Sequence, residues 1–287
     1  MQDIRRLSIE EFPEQLLEIP QPPDKLYIRG KLPPPDYTYL TVVGSRACTS
    51  YGKEICEKLI TGLKGYPVVI VSGLAMGIDS IAHKTAIKNG IITMAFPGSG
   101  IDSKVIYPKS NRDLADEIVE NNGCIIAEFE PETTSQIYFF TQRNRLMAGL
   151  GKAVLIIEAE EKSGTLITAR MAVDYNRDLL AVPGSVFSSS AFGTNRLIRQ
   201  GATPITCVND LLEALGFDAD KPEQTEDEKY ADCSPDEIKI LNLLHEPMER
   251  DDLIRESGLS MSVANALLSI MEIKELIKEE LGEIRKI

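Results

Sequence analysis

The chain has 287 residues with 43% apolar and 26% charged side chains, the balance of a folded globular protein, which argues against a disordered or fibrous chain. Its apolar runs are too short for a membrane helix, its start lacks the apolar core of a secretory signal, and its five cysteines lack the spacing of disulfide or zinc motifs. The net charge is −13, yet residues 37–215 carry 17 basic and 18 acidic groups, so an anionic ligand is not excluded there. We expect a cytoplasmic protein without a membrane segment, metal site or cofactor.

Residues 1–36 are rich in proline and are predicted to form an extended lead-in that packs on the next domain. Over residues 37–217, short β-branched runs alternate with amphipathic stretches of helix length, which predicts an α/β domain with a mainly parallel, doubly wound sheet. The predicted strands are Leu40–Gly44, Val68–Ser72, Ile91–Phe96, Cys124–Glu128, Ala153–Glu158, Leu179–Val182 and Pro204–Thr206, and the predicted helices lie near Gly52–Leu63, Ile78–Lys88, Asn111–Glu120, Asn144, Thr165–Tyr175 and Asn195–Gln200.

Residues 218–233 are acidic and poor in large apolar side chains, which predicts a solvated linker. Residues 234–287 then give the order helix, helix, turn, helix and short hairpin, which is typical of a winged helix-turn-helix. Its candidate recognition helix, Met261–Ile273, contains no lysine or arginine. We therefore expect this domain to contact protein, support a dimer or act as a structural cap rather than bind duplex DNA.

The turns after the predicted strands are rich in small residues, and open α/β sheets bind ligands at the carboxyl ends of their strands. Gly44–Arg46 follow the first strand, Ser72 and Gly73 the second, Pro97–Gly100 the third and Lys162–Thr165 the fifth. Small residues let a phosphate reach backbone N–H groups at a helix start, and an arginine adds a bidentate donor. In the alternative interpretation, each glycine only makes a tight connection.

An aromatic pair stands beside two arginines in the segment Phe139–Arg145, a combination that stacks bases and holds a sugar-phosphate backbone. Alternatively, the arginines pair with nearby acids and the phenylalanines belong to the core. Neither the G-x-G-x-x-G fingerprint nor the P-loop motif follows a predicted strand, which argues against a dehydrogenase or a P-loop ATPase.

Five motifs occur in order: VVGSRACTSYG, VSGLAMGIDSIAH, GSGIDSKVIYPKSN, FFTQRNRLMAGLG and EAEEKSGTLITA. Together they resemble the DNA-processing protein A (DprA/Smf) family over about residues 27–216, with a weaker match of residues 234–287 to its winged helix. The resemblance implies an extended Rossmann-like domain that binds single-stranded DNA, forms a homodimer and helps to load a RecA-type recombinase onto DNA during natural transformation. It implies no catalytic turnover.

By motif, Gly44, Ser45 and Arg46 match the family's phosphate-binding turn, and Phe140, Arg143, Asn144 and Arg145 match its F-x-x-R-N-R segment. The sequence departs from the family's pattern in two places. Many members have a helical domain before the lead-in, and Thr141 stands where the family often has proline. The full set of predicted nucleic-acid-binding residues is Gly44, Ser45, Arg46, Ser72, Gly73, Ser99, Lys109, Phe140, Arg143, Asn144, Arg145, Lys162, Ser163 and Gly164.

Two other functions remain open at this point. A nucleoside-monophosphate phosphoribohydrolase of the same superfamily would carry P-G-G-x-G-T-x-x-E, of which the segment Pro97–Asp102 lacks the second glycine, the threonine and the glutamate. A transcription regulator would need a basic recognition helix. Since helix starts and arginines bind phosphates of any sequence and an aromatic ring stacks any base, the main prediction is single-stranded DNA binding without sequence preference.

Overall fold

The computed structural model describes residues 4–218, 233–274, 276–280 and 282–286. The chain divides into two compact units, residues 1–219 and residues 220–287. Within the described residues, no helix is both long enough and apolar enough to cross a membrane. Apart from its two end residues, the predicted acidic linker 218–233 lies outside the described residues.

The larger unit is a sheet covered by helices on both faces. Its described strands are β1 (Ile4–Arg6), β2 (Tyr27–Gly30), β3 (Thr38–Val43), β4 (Val68–Ser72), β5 (Ile92–Ala95), β6 (Cys124–Ala127), β7 (Ala153–Ile156), β8 (Asp178–Ala181) and β9 (Thr203–Pro204). Its described helices are α1 (Glu14–Leu17), α2 (Ser50–Thr61), α3 (Ile78–Lys88), α4 (Arg112–Glu120), α5 (Ile137–Leu150), α6 (Thr165–Asp174), α7 (Phe192–Arg199) and α8 (Val208–Ala214).

The strands form one sheet in the order β1-β2-β6-β5-β4-β3-β7-β8-β9. All neighbours from β6 to β9 are parallel, whereas β1 and β2 add to the β6 edge in antiparallel pairing. The chain moves outward from β3 to β6 and then returns to the other side of β3 with β7. The order therefore reverses between β3 and β7, which is where a doubly wound sheet opens a crevice for ligands.

Alternate residues of β4 point to opposite faces of the sheet, as the period of a strand requires. Val69 and Val71 pack in a cluster with residues of α5 and α6, whereas Val68 and Ile70 pack with residues of α2, α3 and α8. Each fully buried Val or Ile side chain contributes about 1.5–3 kcal/mol to the stability of such a core. The run of apolar residues in β4 thus reflects burial on both faces.

The predicted fold class is confirmed: the sheet is mainly parallel and doubly wound, and the predicted strands and helices from β3 to β9 are present. Two elements, Val68–Ser72 and Ile78–Lys88, have the predicted ends. The helix predicted near Asn144 runs from Ile137 to Leu150, and its carboxyl-terminal turn, Leu146–Leu150, is buried on all sides.

The lead-in differs from its prediction as an extended segment. Within residues 4–36 the structure places two strands, the helix α1 and a 3₁₀ turn at Ile9–Glu11. Strand β2 pairs with β6, from Tyr27 opposite Ala127 to Gly30 opposite Cys124. These residues therefore belong to the sheet of the larger unit. The boundary at residue 36 stays a prediction.

The second unit contains the helices α9 (Pro235–Leu243), α10 (Arg250–Ser257) and α11 (Met261–Ile273) and the strands β10 (Met248–Glu249), β11 (Ile277–Glu280) and β12 (Glu283–Lys286). These strands pair in the order β10-β12-β11, which confirms the predicted winged helix. Helix α9 begins with a capping box, in which the Ser234 N–H donates to Glu237 Oε2 over 2.7 Å. Gly258, at a φ of +66°, makes the turn between α10 and α11.

Candidate nucleic-acid interface

A cavity of about 490 Å³ lies at the carboxyl edge of the sheet, where the strand order reverses; we call it the central cavity. It is enclosed by the segments after β3, β4 and β7 and by the first half of α5. Of the predicted site residues it brings together Gly44, Ser45, Arg46, Phe140, Arg143, Asn144, Ser163 and Gly164.

The turn after β3 lies against the start of α3. The Ile78 N–H donates to the Ser45 carbonyl over 3.2 Å, and a Cβ on Gly44 would lie 2.6 Å from the Ile78 side chain. Gly77 has a φ of +74°, and a Cβ there would lie only 2.3 Å from the Ser45 carbonyl oxygen. Glycine is therefore needed on both sides of this contact, which explains the small residues of the two motifs.

Arg46 is the exposed cationic side chain of the central cavity, and Phe140 is its half-buried aromatic side chain. The Arg46 Cζ lies 5.5 Å from the centroid of the Phe140 ring, and the Tyr107 ring meets the same ring edge-on at 5.8 Å. A Cβ on Gly98 would lie 2.4 Å from Phe140 Cδ1, so the ring rests on the Gly98 backbone. A fixed aromatic ring thus lies beside a solvent-facing guanidinium.

Arg143 forms the inner wall of the central cavity and is only 5% exposed. Its guanidinium donates to the Phe96 carbonyl, and a Cβ on Gly73 would lie 2.0 Å from its Nη1. Burial lowers the pKa of Arg143 to about 10, against the opposite effect of nearby Asp79. Burial likewise raises the pKa of Asp79, and the charge of Arg143 works against that rise. Arg143 therefore supplies positive charge from within the wall rather than from the surface.

The start of α6 provides the third side of the cavity. Gly164 precedes the first helical residue, nothing lies within 4 Å of the position its Cβ would take, and the Thr165 N–H donates to the Ser163 hydroxyl over 3.2 Å. The Thr165 hydroxyl donates to the Gly44 carbonyl over 3.1 Å and so ties the segments after β3 and β7 together. The Leu166 and Ile167 N–H groups donate to the carbonyls of Ser163 and Gly164, each over 3.1 Å, so this helix start attracts an anion through its positive end and not through unpaired N–H groups.

Several predicted residues lie outside the central cavity. Ser72 and Ser99 are fully buried, and their hydroxyls donate to the carbonyls of Val42 and Gly100. Gly73 is also buried, beneath Arg143. Lys109 is exposed near Tyr107, and Lys162 lies on the neighbouring surface beside Ser163.

Arg145 is also outside the central cavity, because it forms an ion pair with Glu128 and donates to the Gln21 carbonyl over 2.6 Å. Its side chain is 13% exposed and that of Glu128 is 16% exposed. Arg145 therefore agrees with the alternative interpretation, in which an arginine of this segment pairs with a nearby acid. Burial raises the pKa of Glu128, whereas Arg145 favours its ionised form.

The prediction missed three residues of this region. Asp79 is buried in the cavity wall, Thr165 bridges two segments, and Tyr107 supports Phe140. Asp79 and Thr165 stand within predicted motifs, so their positions at helix starts could have indicated them. Tyr107 also stands within a motif, but no helix start marks its position, and its contact with Phe140 joins segments that are distant in the sequence.

A family model described as DNA recombination-mediator protein A matches residues 4–216, and one described as DprA winged helix domain matches residues 220–282. The chain belongs to the DNA recombination-mediator protein A family. The resemblance drawn from the motifs is therefore confirmed. The first match covers the whole sheet of the larger unit and all segments that enclose the central cavity.

Relatives in this family include DNA processing protein DprA of Streptococcus pneumoniae, 40% identical over 206 residues, or 72% of each chain. Protein Smf of Escherichia coli is 38% identical over 212 residues, which cover 72% of this chain and 55% of that protein. The X-ray structure of the S. pneumoniae protein gives a TM-score of 0.68 at 38% identity over 74% of each chain. A structure of DNA processing protein A from Helicobacter pylori, described for its unique single-stranded DNA binding mode, gives 0.66 at 30% identity over 75% of this chain and 98% of that one.

Proposed function

We propose that the central cavity binds single-stranded DNA without sequence preference. The observation on which this depends is the position of Arg46 over Phe140, beside the start of α6. A guanidinium binds a phosphate, the positive end of a helix attracts it, and an aromatic ring stacks a base. Both parts of a nucleotide therefore have a partner in one cavity.

The same contacts favour an unpaired strand. The Phe140 ring lies between Arg46, Tyr107 and the Gly98 backbone, so only a base that has left its duplex can stack on it. None of these groups reads the hydrogen-bonding edge of a base, so all bases should bind similarly. The single-stranded DNA binding described for the H. pylori relative supports this proposal.

We further propose that the protein acts without catalytic turnover, as a homodimer that helps to load a RecA-type recombinase onto single strands during natural transformation or recombination. Support comes from membership of a recombination-mediator family. Pro97–Asp102, on which the phosphoribohydrolase alternative depends, includes the buried Ser99 and the Gly98 backbone beneath Phe140, so it presents no open glycine-rich turn. Assembly of recombinase filaments on coated single strands, with and without this protein, tests the loading step.

Fluorescence anisotropy of a labelled oligothymidine, against a duplex of equal length and at two salt concentrations, tests the DNA-binding proposal. We expect tight, salt-dependent binding of the single strand and weak binding of the duplex. Arg46→Ala should reduce the slope of log K against log salt by about one. Lys64→Ala removes one exposed positive charge near the end of α2 and should leave the slope unchanged. Equal binding of the duplex, or no binding at low salt, would contradict the proposal.

A further inference from the structure

A second cavity, of about 340 Å³, lies at the same carboxyl edge of the sheet; we call it the serine cavity. Hydroxyl groups dominate its polar lining, and Ser185, Ser188, Ser190 and Thr49 are among its walls. Two segments of the chain contribute to both cavities. In the segment after β3, Arg46 lines the central cavity and Thr49 lines the serine cavity. In the segment after β7, Glu160 lines the central cavity and Glu158 lines the serine cavity. A strand that runs from the central cavity past Arg46 towards β8 would meet the serine cavity.

The charge of the serine cavity excludes a phosphate as its ligand. The residues that line it, all in the described part of the chain, include no lysine or arginine. They do include Glu158, which is 2% exposed and accepts hydrogen bonds from the Thr49 N–H at 2.9 Å, the Thr49 hydroxyl at 2.5 Å and the Ser190 hydroxyl at 3.1 Å. An uncharged group with hydrogen-bonding edges fits this lining, and a nucleobase is such a group.

A turn at the rim of the serine cavity carries two solvent-exposed apolar side chains. The Ser188 N–H donates to the Ser185 carbonyl over 3.0 Å, and between them Val186 and Phe187 are 84% and 97% exposed. The central positions of such turns are normally occupied by Gly, Asn, Asp, Ser or Pro. Among the residues that the structure describes, none packs on Phe187 in a way that would explain an aromatic residue in this turn, so a role in binding a ligand is the better explanation.

This turn is held in place from several sides. The Asn195 side chain exchanges hydrogen bonds with both the N–H and the carbonyl of Gly184, at 3.2 and 2.9 Å. The Tyr51 hydroxyl donates to the Pro183 carbonyl over 2.8 Å, and the Ala159 N–H donates to the Ser190 carbonyl over 2.9 Å. Phe187 is therefore presented on an anchored support, so little ordering of the turn opposes binding.

We infer that Phe187 and the serine cavity form a second base-binding subsite, in which an unpaired base of the strand held by the central cavity stacks on Phe187. This inference rests on the proposed function. It adds an aromatic contact after β8 to the one that Phe140 makes on α5. The bound strand would thus follow the carboxyl edge of the sheet from β3 towards β8.

The absence of tryptophan from the chain makes a direct test available. Phe187→Trp introduces a single indole at the proposed subsite, and a stacked base should quench its fluorescence. We expect quenching during an oligothymidine titration, saturating at the concentrations at which anisotropy saturates. Leu17→Trp is the matched control. Leu17 is 44% exposed at the end of α1, and Ile19, two residues further on, packs on Gly149 near the far end of α5. Its fluorescence should not change.

A second set of variants measures the contribution to binding. Phe187→Ala should weaken oligothymidine binding about 5- to 30-fold, as expected for one lost base stack, with the salt slope unchanged. Phe187→Tyr should bind like the unaltered protein. The 97% exposure of Phe187 means that these variants should fold normally.

The outcomes separate the two proposals. If the unaltered protein does not bind oligothymidine, the proposed function and the subsite both fail. If anisotropy shows saturated binding while Phe187→Trp stays unquenched, or if Phe187→Ala binds normally, only the subsite fails. A change in Phe187→Trp emission with protein concentration, before DNA is added, would show that a second copy of the chain covers this turn and would overturn the inference.

Discussion

The guanidinium of Arg46 lies over the ring of Phe140, with Cζ 5.5 Å from the ring centroid. The first residue follows a strand of the sheet and the second belongs to the helix α5, so they are brought together only by the fold. Their contact joins the phosphate-binding and base-stacking parts of the central cavity. The two side chains should therefore act as one unit in DNA binding.

A double-mutant cycle tests this coupling. Arg46→Ala and Phe140→Ala should each weaken oligothymidine binding, and the double variant should lose less than the sum, because either change removes the cation–π contact. We expect a coupling free energy of about 0.5–2 kcal/mol. Arg46→Lys should keep the salt slope but lose part of the coupling, since an ammonium does not stack. Strict additivity in anisotropy titrations would show that the contact has no role in binding.

Gly73→Ala should destabilise the larger unit. A Cβ at this position would lie 2.0 Å from Arg143 Nη1 and 2.6 Å from Asp79 Oδ2, and both neighbours are buried. Such overpacking reduces the free energy of unfolding by about 1–3 kcal/mol. Urea denaturation measures the loss. Gly164→Ala is the control, because nothing lies within 4 Å of its Cβ position and its φ of −59° suits alanine. Equal stability of both variants would contradict the close packing of Arg143 and Asp79 on Gly73.

Arg145→Met should lower the stability of the larger unit and leave phosphate binding unchanged. The change leaves Glu128 and the Gln21 carbonyl without a donor that reaches both, which reduces the free energy of unfolding by about 1–3 kcal/mol. The salt slope of oligothymidine binding should stay that of the unaltered protein. A slope reduced by about one would instead place Arg145 on a phosphate.

His83 should make the larger unit sensitive to acid. It is fully buried, its Nδ1 lies 2.7 Å from the Thr93 hydroxyl, and burial lowers its pKa to about 3. Below the unfolded pKa of about 6.5, the unfolded chain binds a proton that the folded chain excludes, so stability falls as the pH falls from there towards 3.

Urea denaturation at pH 7 and pH 5.5 measures this effect. Between those values the unaltered protein should lose about 1 kcal/mol more of its free energy of unfolding than His83→Asn does, because other groups titrate alike in both. Equal losses would show that His83 takes up its proton in the folded state.

The alternation of apolar runs and amphipathic stretches was sufficient to predict the parallel strands and their helices, because burial on both faces leaves a strong pattern. Strand β4 and helix α3 illustrate this. Strands β1 and β2 left no such pattern, since each is short and depends on a partner far along the chain. The prolines in the segments around them indicated an extended chain but not its place in the sheet.

The candidate site was predictable where local conformation determines it. Gly44 and Arg46 stand at a strand-to-helix turn that the sequence marks with small residues. The burial of Ser99 and the ion pair of Arg145 depend on residues brought from elsewhere, and neither leaves a local signal. Phe187 escaped notice for a similar reason, because its exposure is known only once the turn has its shape.

The pairing of β2 with β6 has a consequence for how the chain is made. Tyr27 lies opposite Ala127, so 100 residues separate the two partners. During synthesis β2 leaves the ribosome long before β6 exists, and it must wait without this partner until β6 emerges. The amino-terminal strands therefore join the sheet late, after the strands from β3 to β6 have been made.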